Sequence, residues 1–376
     1  MYFDHASTTY VIPEVADKMS GYLSSSFANP SSVHLAGLSA RRAVDQSIDK
    51  IAISLNCSKK SLLFTSGGTE SNNFVLKGVL EKHDFKGHVI TTAIEHHSVF
   101  YTLRYLETRG VDVTYLPVDS SGIVNVEDVK KAIRKDTVLI SIMYANNEIG
   151  TIQPIEAISK IAKDNNVLFH TDAVQAVGLL HSDIQKLGVD FLSMSGHKIY
   201  GPKGVGVLFV KDMKTLVPQM HGGSQQYNMR AGTYNVTGII GVAEALFIAK
   251  NSIDHEVLRL TELRDYIIEY VLKNIPETIL TGSRNLRLPN NAHFCFADID
   301  GGSLLMRLSN KEISLSNGSA CTAGAAAVSH VVEALRIPER YANGSIRISL
   351  GKRNSLDDVR KLCEILEEEV TELRKL

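Results

Sequence analysis

From Ser61 to about Val210 the chain alternates between short apolar runs and longer stretches with helical spacing of apolar positions. Leu62-Leu63-Phe64, Val89-Ile90, Val138 to Ile142, Val167-Leu168-Phe169 and Phe191-Leu192 are near-continuous apolar runs, which predict strands buried on both faces. Val111-Asp112-Val113-Thr114-Tyr115 instead alternates apolar and polar residues, predicting a strand with one exposed face. Between these runs, Thr69 to Glu81 and Ile155 to Asn165 are amphipathic with helical spacing. Strand and helix in alternation predict an α/β architecture, a mostly parallel sheet with helices on both faces. A long helical pattern begins near Thr237 and reaches the 270s. Strand patterns at Ala292 to Phe296 and Ile346 to Leu350, followed by a charged amphipathic helix over Asp357 to Leu376, predict a smaller α+β domain. No Pro/Gly-rich linker separates the two patterns, so the division is expected inside or near the long helix. Residues 14–250 form the expected large domain; residues 1–13 and 251–376 form the small one, which carries a cysteine loop.

Composition narrows the function classes. With 44% hydrophobic residues, the 376-residue chain can bury a sizeable core, and a net charge of -1 gives no electrostatic case for nucleic acid. No uninterrupted apolar run approaches the roughly 20 residues that cross a bilayer, so no membrane association is expected. Met1-Tyr2-Phe3-Asp4-His5 has neither the basic start nor the apolar segment of a secretory signal, and a cytoplasmic location is the expectation. Cys57, Cys295, Cys321 and Cys363 are too dispersed to suggest a disulfide framework or a zinc site, and no metal is expected.

Two residues carry the most chemistry. Asp172, in His170-Thr171-Asp172-Ala173-Val174-Gln175, leaves one predicted strand, and Lys198, in Ser195-Gly196-His197-Lys198-Ile199-Tyr200-Gly201-Pro202-Lys203-Gly204, leaves another. Pyridoxal phosphate (PLP) chemistry needs this pair: an amine to condense with the cofactor aldehyde, and a carboxylate to hold the pyridine nitrogen protonated. A lone lysine in a glycine-rich turn would read as surface, but here aspartate, hydroxyl, imidazole and turn occur together.

Other segments fit around that pair. Thr65-Ser66-Gly67-Gly68-Thr69-Glu70-Ser71-Asn72-Asn73 follows a strand and opens a helix, where free N–H groups and the helix dipole favour a phosphate. Gly68 and Thr69 are assigned to it, with Ser195 and His197 completing the cup. In Glu95-His96-His97-Ser98, which follows a strand and precedes a helix, one imidazole could stack on the pyridine ring and move protons near neutrality; a helix-start histidine with no chemistry is the competing reading. The polar turn Asn146-Asn147-Glu148-Ile149-Gly150 follows a strand to the same sheet edge, where an amide could hydrogen-bond cofactor or substrate, although Asn-Asn is also ordinary turn chemistry. Cys321 sits among small residues in Ser316-Asn317-Gly318-Ser319-Ala320-Cys321-Thr322-Ala323-Gly324, predicting a weakly packed loop with an accessible thiol. Cys57, Cys295 and Cys363 lie in regular patterns and read as packing residues. Arg347 occupies the polar face of an alternating strand pattern, where a guanidinium could clamp a carboxylate; a solvent-facing strand arginine is the competing reading.

Together these motifs resemble the PLP-dependent cysteine desulfurases of the NifS and IscS type, within the fold-type I, class V aminotransferase group. The resemblance spans essentially the whole chain and includes Asn29-Pro30-Ser31-Ser32-Val33-His34 and Arg230-Ala231-Gly232-Thr233. Gly318-Ser319-Ala320-Cys321 on a small-residue loop narrows it to desulfurases. The resemblance implies a mainly parallel seven-stranded sheet in the large domain and a homodimer with composite active sites. It implies that Thr233 reaches the phosphate of the neighbouring subunit, that Gln175 bonds the ring oxygen, and that Asn147 faces cofactor and substrate. The implied activity converts L-cysteine to L-alanine, with Lys198 removing the Cα proton, His96 handling the thiol proton and Cys321 leaving with the sulfur as a persulfide.

His5 departs from the pattern, since relatives usually carry asparagine or tyrosine there, and the ending Glu372 to Leu376 lacks the longer tail with which some relatives dock an iron–sulfur scaffold. The sulfur acceptor is left open among iron–sulfur assembly, tRNA or cofactor thiolation and DNA sulfur modification. A selenocysteine lyase or another class V enzyme is the nearest alternative, and a non-catalytic binding scaffold the rival of a different kind.

Overall fold

The computed structural model describes residues 1–317 and 328–375. Among the described residues ten strands form two sheets: β1 (Leu62–Thr65), β2 (His88–Thr92), β3 (Asp112–Leu116), β4 (Thr137–Ser141), β5 (Leu168–Asp172), β6 (Phe191–Ser195) and β7 (Gly206–Val210) in the large one, and β8 (Thr278–Leu280), β9 (Asn291–Phe296) and β10 (Ser345–Ser349) in the small one. The large sheet has the order β1-β7-β6-β5-β4-β2-β3. Pairing is parallel from β6 through β3, while β7 runs antiparallel to both β6 and β1. The α/β class and the seven-stranded, mainly parallel sheet are as expected. Strands β1, β2, β6 and β7 are buried at every position, which accounts for the apolar runs read at β1, β2 and β6; β7 is not among the strands expected. β3 is an edge strand, and its inner positions are half-buried rather than alternating cleanly between core and solvent.

This topology gathers the chemistry on one sheet edge. The C-terminal ends of β2, β4, β5 and β6 all point the same way, so the turns after Thr92, Ser141, Asp172 and Ser195 meet. The pairing Thr65↔Gly206↔Ser195 brings the end of β1 to the same edge, through a glycine whose missing side chain admits the Gly67 backbone.

The small sheet is antiparallel, with order β10-β9-β8. Phe3 packs into its core, and isolated bridges Tyr2↔Ser314 and Asp4↔Ser349 tie the N-terminal segment to that unit before it runs back to the large sheet. The helix Val236–Asn274 starts on an Asn235 side-chain cap. Its first half buries Ile239, Val242 and Leu246 in the large core, and its second half buries Leu260, Ile267 and Val271 in the small one. Among the described residues this helix is long and apolar enough, by length and composition, to cross a membrane, contrary to the expectation that no segment is; half of its most apolar window is buried inside the structure. The terminal helix Leu356–Leu373 opens on a capping box between Ser355 and Asp358 and packs Leu362, Leu366 and Val370 on the small core.

Candidate active site

A cavity of about 240 Å³ opens at the convergent sheet edge. Gly68, Thr69, His96, Asn147 and Asp172 line one part of it, and Gln175, Ser195, His197, Lys198 and Arg347 the rest. Ten of the twelve residues selected from the sequence therefore meet in one place. Thr233 is exposed and does not line the cavity of its own chain. Cys321 lies outside the described residues.

Lys198 ends the short helical turn after β6, and its Nζ donates to the carbonyl oxygens of Ala6 (2.5 Å) and Ser7 (2.7 Å). Gln175 Nε2 also donates to the Ala6 carbonyl, at 2.9 Å. The N-terminal segment is thus a wall of the site, a role its sequence did not reveal. His5 does not line the cavity; its ring lies among Tyr2, Tyr10 and Tyr200, and burial pushes its pKa down to about 4.

Asp172, at the end of β5, accepts from the Val174 N–H at 3.0 Å and from Asn72 Nδ2 at 2.6 Å. Asn72 Nδ2 also donates to Ser98 Oγ at 2.8 Å, and Ser98 Oγ lies 2.7 Å from His96 Nδ1. His96 caps the helix His97–Glu107: its Nδ1 accepts from the Ser98 N–H, which assigns the ring proton to Nε2. Burial lowers the His96 pKa against the opposing pull of Asp172, so the ring is neutral and able to accept a proton. Burial, with Lys198 and Lys203 nearby, likewise lowers His197 to about 4. Behind His96, Glu95 is fully buried and accepts from Thr92 Oγ1 and the Met143 N–H; burial pushes its pKa up to about 8.

The phosphate end is built from close approaches. A Cβ on Gly68 would lie 2.5 Å from Val174 Cγ2, so only glycine fits between the helix start and the turn after Asp172. Glu70, on that first helical turn, accepts from the Ser66 N–H and from Arg230. Burial raises its pKa, but the hydrogen bonds from Arg230 and Ser66 outweigh that and leave the carboxyl below its usual range. The pair ties the segment carrying Thr233 to the phosphate turn.

Arg347 is 2% exposed, and every residue of β10 is buried, so the expected polar, open strand face does not exist. Its bridges to Ser316 and the nearby N-terminal segment cover it. Nη1 donates to the Asn147 carbonyl at 2.8 Å, while Nη2 reaches Asp4 Oδ1 (2.8 Å) and Ser7 Oγ (2.7 Å). Among the described residues its buried Nε has no hydrogen-bond partner.

These residues fit pyridoxal phosphate: an amine, a carboxylate fixed by two donors, a neutral imidazole and a glycine-opened helix start share one cavity. The described cysteines offer no comparable nucleophile. Burial raises the thiol pKa of Cys57 to about 11, and of Cys295 and Cys363 to about 12. Among the described residues no cluster suited to a metal ion occurs.

Comparison with known proteins agrees with this chemistry. The Aminotransferase class-V family profile matches residues 1–362. The cysteine desulfurase IscS of Dictyoglomus turgidum is 47% identical over 377 residues, covering 100% of this chain and 96% of the relative. Among solved structures, a NifS-like protein superposes with a TM-score of 0.93 at 37% identity, covering 99% of this chain and 100% of the other. SspA in complex with cysteine gives a TM-score of 0.82 at 37% identity, covering 93% and 98%. The chain belongs to the class V aminotransferase family and, within it, to the PLP-dependent cysteine desulfurases.

Proposed function

We propose that this desulfurase takes L-cysteine and passes its sulfur, as a persulfide on Cys321, to an acceptor protein. The observation carrying this reading is the convergence of Lys198, Asp172, His96 and Arg347 on one cavity of a cysteine desulfurase fold. PLP supplies an aldehyde for the substrate amine and a pyridinium that withdraws electrons from Cα. Gly68, Thr69, Ser195 and His197 would hold its phosphate, Gln175 its ring oxygen, and Asp172 its ring nitrogen. Arg347 and Asn147 orient the substrate carboxylate. Lys198 Nζ takes the Cα proton, and the neutral His96 imidazole accepts the substrate thiol proton. Cys321, as thiolate, attacks the substrate sulfur. An S–S bond forms as the C–S bond breaks, the electron pair stays with the carbon skeleton, and that skeleton takes up a proton to leave as L-alanine.

The enzyme would work as a homodimer in the cytoplasm, dividing into residues 14–250 and a small domain of residues 1–13 with 251–376. Phe27, Val33 and Leu35 are exposed apolar side chains close together in the chain, suited to cover by a second copy, and exposed Thr233 would reach that copy's cofactor phosphate. Iron–sulfur assembly is the acceptor pathway most consistent with relatives named IscS. Measuring L-alanine and enzyme-bound sulfur from L-cysteine in wild-type and Cys321→Ala holoenzyme tests the reading. One alanine per protein persulfide in the wild type, with neither in the variant, supports it; undiminished alanine release by Cys321→Ala would favour a lyase that needs no loop thiol.

A further inference from the structure

Both described ends of the segment that carries Cys321 are fastened to the rim of the site. On the N-terminal side, the Ser316 and Arg347 main chains pair, and Ser345 Oγ donates to the Asn317 carbonyl at 3.2 Å. On the C-terminal side, Ser329 Oγ donates to Glu148 Oε2 at 2.6 Å, and His330 Nε2 lies 2.9 Å from the Glu95 carbonyl oxygen. Glu148 follows Asn147 and Glu95 precedes His96 in the chain, so each anchor is one residue away from a residue lining the cavity.

Glu148 is held rigidly for this task. It is 1% exposed, its carbonyl accepts from Asn291 Nδ2 at 2.9 Å, and the Asn146 side chain accepts from its N–H at 2.8 Å. Arg287 donates to the next carbonyl, that of Ile149, at 2.8 Å. Among the described residues the Glu148 carboxyl makes no salt bridge and accepts one hydrogen bond, that from Ser329. His330 is wedged between the rings of His97 (5.1 Å between centroids) and Phe100 (5.2 Å). A buried carboxyl is costly to desolvate, so its retention beneath Ser329 calls for a role that an apolar side chain would not fill.

We propose that Glu148 is a positioning residue for sulfur transfer: through Ser329, and with His330 on the Glu95 carbonyl, it fixes the C-terminal root of the Cys321 segment beside the Asn147 turn. Cys321 follows Asn317 by four residues and precedes Ser329 by eight. Holding both roots raises the effective concentration of the thiol at the site, whereas releasing one lets it search a larger volume. The inference rests on the reading of Cys321 as the sulfur acceptor. It concerns only delivery of the thiol, since Glu148 and Ser329 do not line the cavity.

The test is single-turnover persulfide formation on Cys321, followed by mass analysis, in wild-type, Glu148→Ala, Ser329→Ala, double-variant and Glu148→Gln holoenzymes. Glutamine keeps an acceptor for Ser329, so Glu148→Gln should stay near the wild-type rate. Glu148→Ala and Ser329→Ala should each slow the step about tenfold, with the double variant no slower than the worse single one. Cofactor absorbance and the spectral change on adding cysteine should keep wild-type amplitude in all four. A wild-type rate in Glu148→Ala, multiplying effects in the double variant, or a slowing that tracks cofactor loss would overturn the inference while Cys321→Ala remains inactive. Persistent activity in Cys321→Ala would instead overturn the thiol reading, and this inference with it.

Discussion

Asn72 Nδ2 lies 2.6 Å from Asp172 Oδ2 and joins the group proposed to hold the pyridine nitrogen to the group that orients His96. One amide hydrogen goes to Asp172 and the other to Ser98; Asn72 is fully buried, and among the described residues no donor reaches its Oδ1. The electron-withdrawing and proton-handling sides of the site therefore share one side chain. Asn72→Ala removes a donor to a charged acceptor, and its effect should fall on turnover. We expect kcat to drop about tenfold or more while KM for L-cysteine changes little, as measured by alanine release. A variant whose only defect is a raised KM would show that Asn72 serves substrate binding instead.

Lys198→Ala should abolish both turnover and the borohydride-reducible covalent attachment of the cofactor. Lys198 is the lysine that lines the cavity; Lys203, five residues on, is exposed and outside it. Peptide mapping after reduction should find the pyridoxyl group on Lys198. Its appearance on Lys203, with loss of attachment in Lys203→Ala, would show that the other amine carries the cofactor.

Glu95 gives the fold a pH signature. Its pKa is pushed up from the ordinary carboxyl range to about 8 because burial opposes the charged form. The native state then holds a proton that the unfolded chain has released, so wild-type stability should fall as pH rises from about 4.5 to 8 and level off above that. The contribution approaches about 1.4 kcal/mol per pH unit for one such group. Glu95→Gln keeps an acceptor for Thr92 and Met143 but has nothing to ionise. Denaturant unfolding of the two proteins across this range should give curves that diverge with rising pH, the variant gaining on the wild type. Parallel curves would mean that Glu95 is already ionised in the native protein.

The sheet and most of the site were legible because their physics is local. Buried strands need unbroken apolar runs, and PLP chemistry needs its amine, carboxylate and glycine-opened helix start in recognisable turns. What escaped was relational. Asn72 sits in a helix-opening motif whose sequence says nothing about Asp172, one hundred residues away. Arg347 looked like the exposed face of a strand because the cover over it comes from Asp4, Ser7 and Ser316, which are remote or non-local in pairing. The N-terminal wall over Lys198 is made of backbone carbonyls, which leave no side-chain signature at all. β8 is three half-buried residues long, too short to show a period. Thr233 is legible only through family resemblance, since its proposed partner is another chain.

The decisive measurement is the position of the transferred sulfur. Wild-type holoenzyme is given L-cysteine without an acceptor, trapped with an alkylating reagent under non-reducing conditions and mapped by peptide mass spectrometry. The account predicts added sulfur on Cys321, in step with L-alanine release, and none on Cys57, Cys295 or Cys363, whose burial keeps their thiols protonated. Added sulfur on one of those three, with Cys321 unmodified, would contradict it.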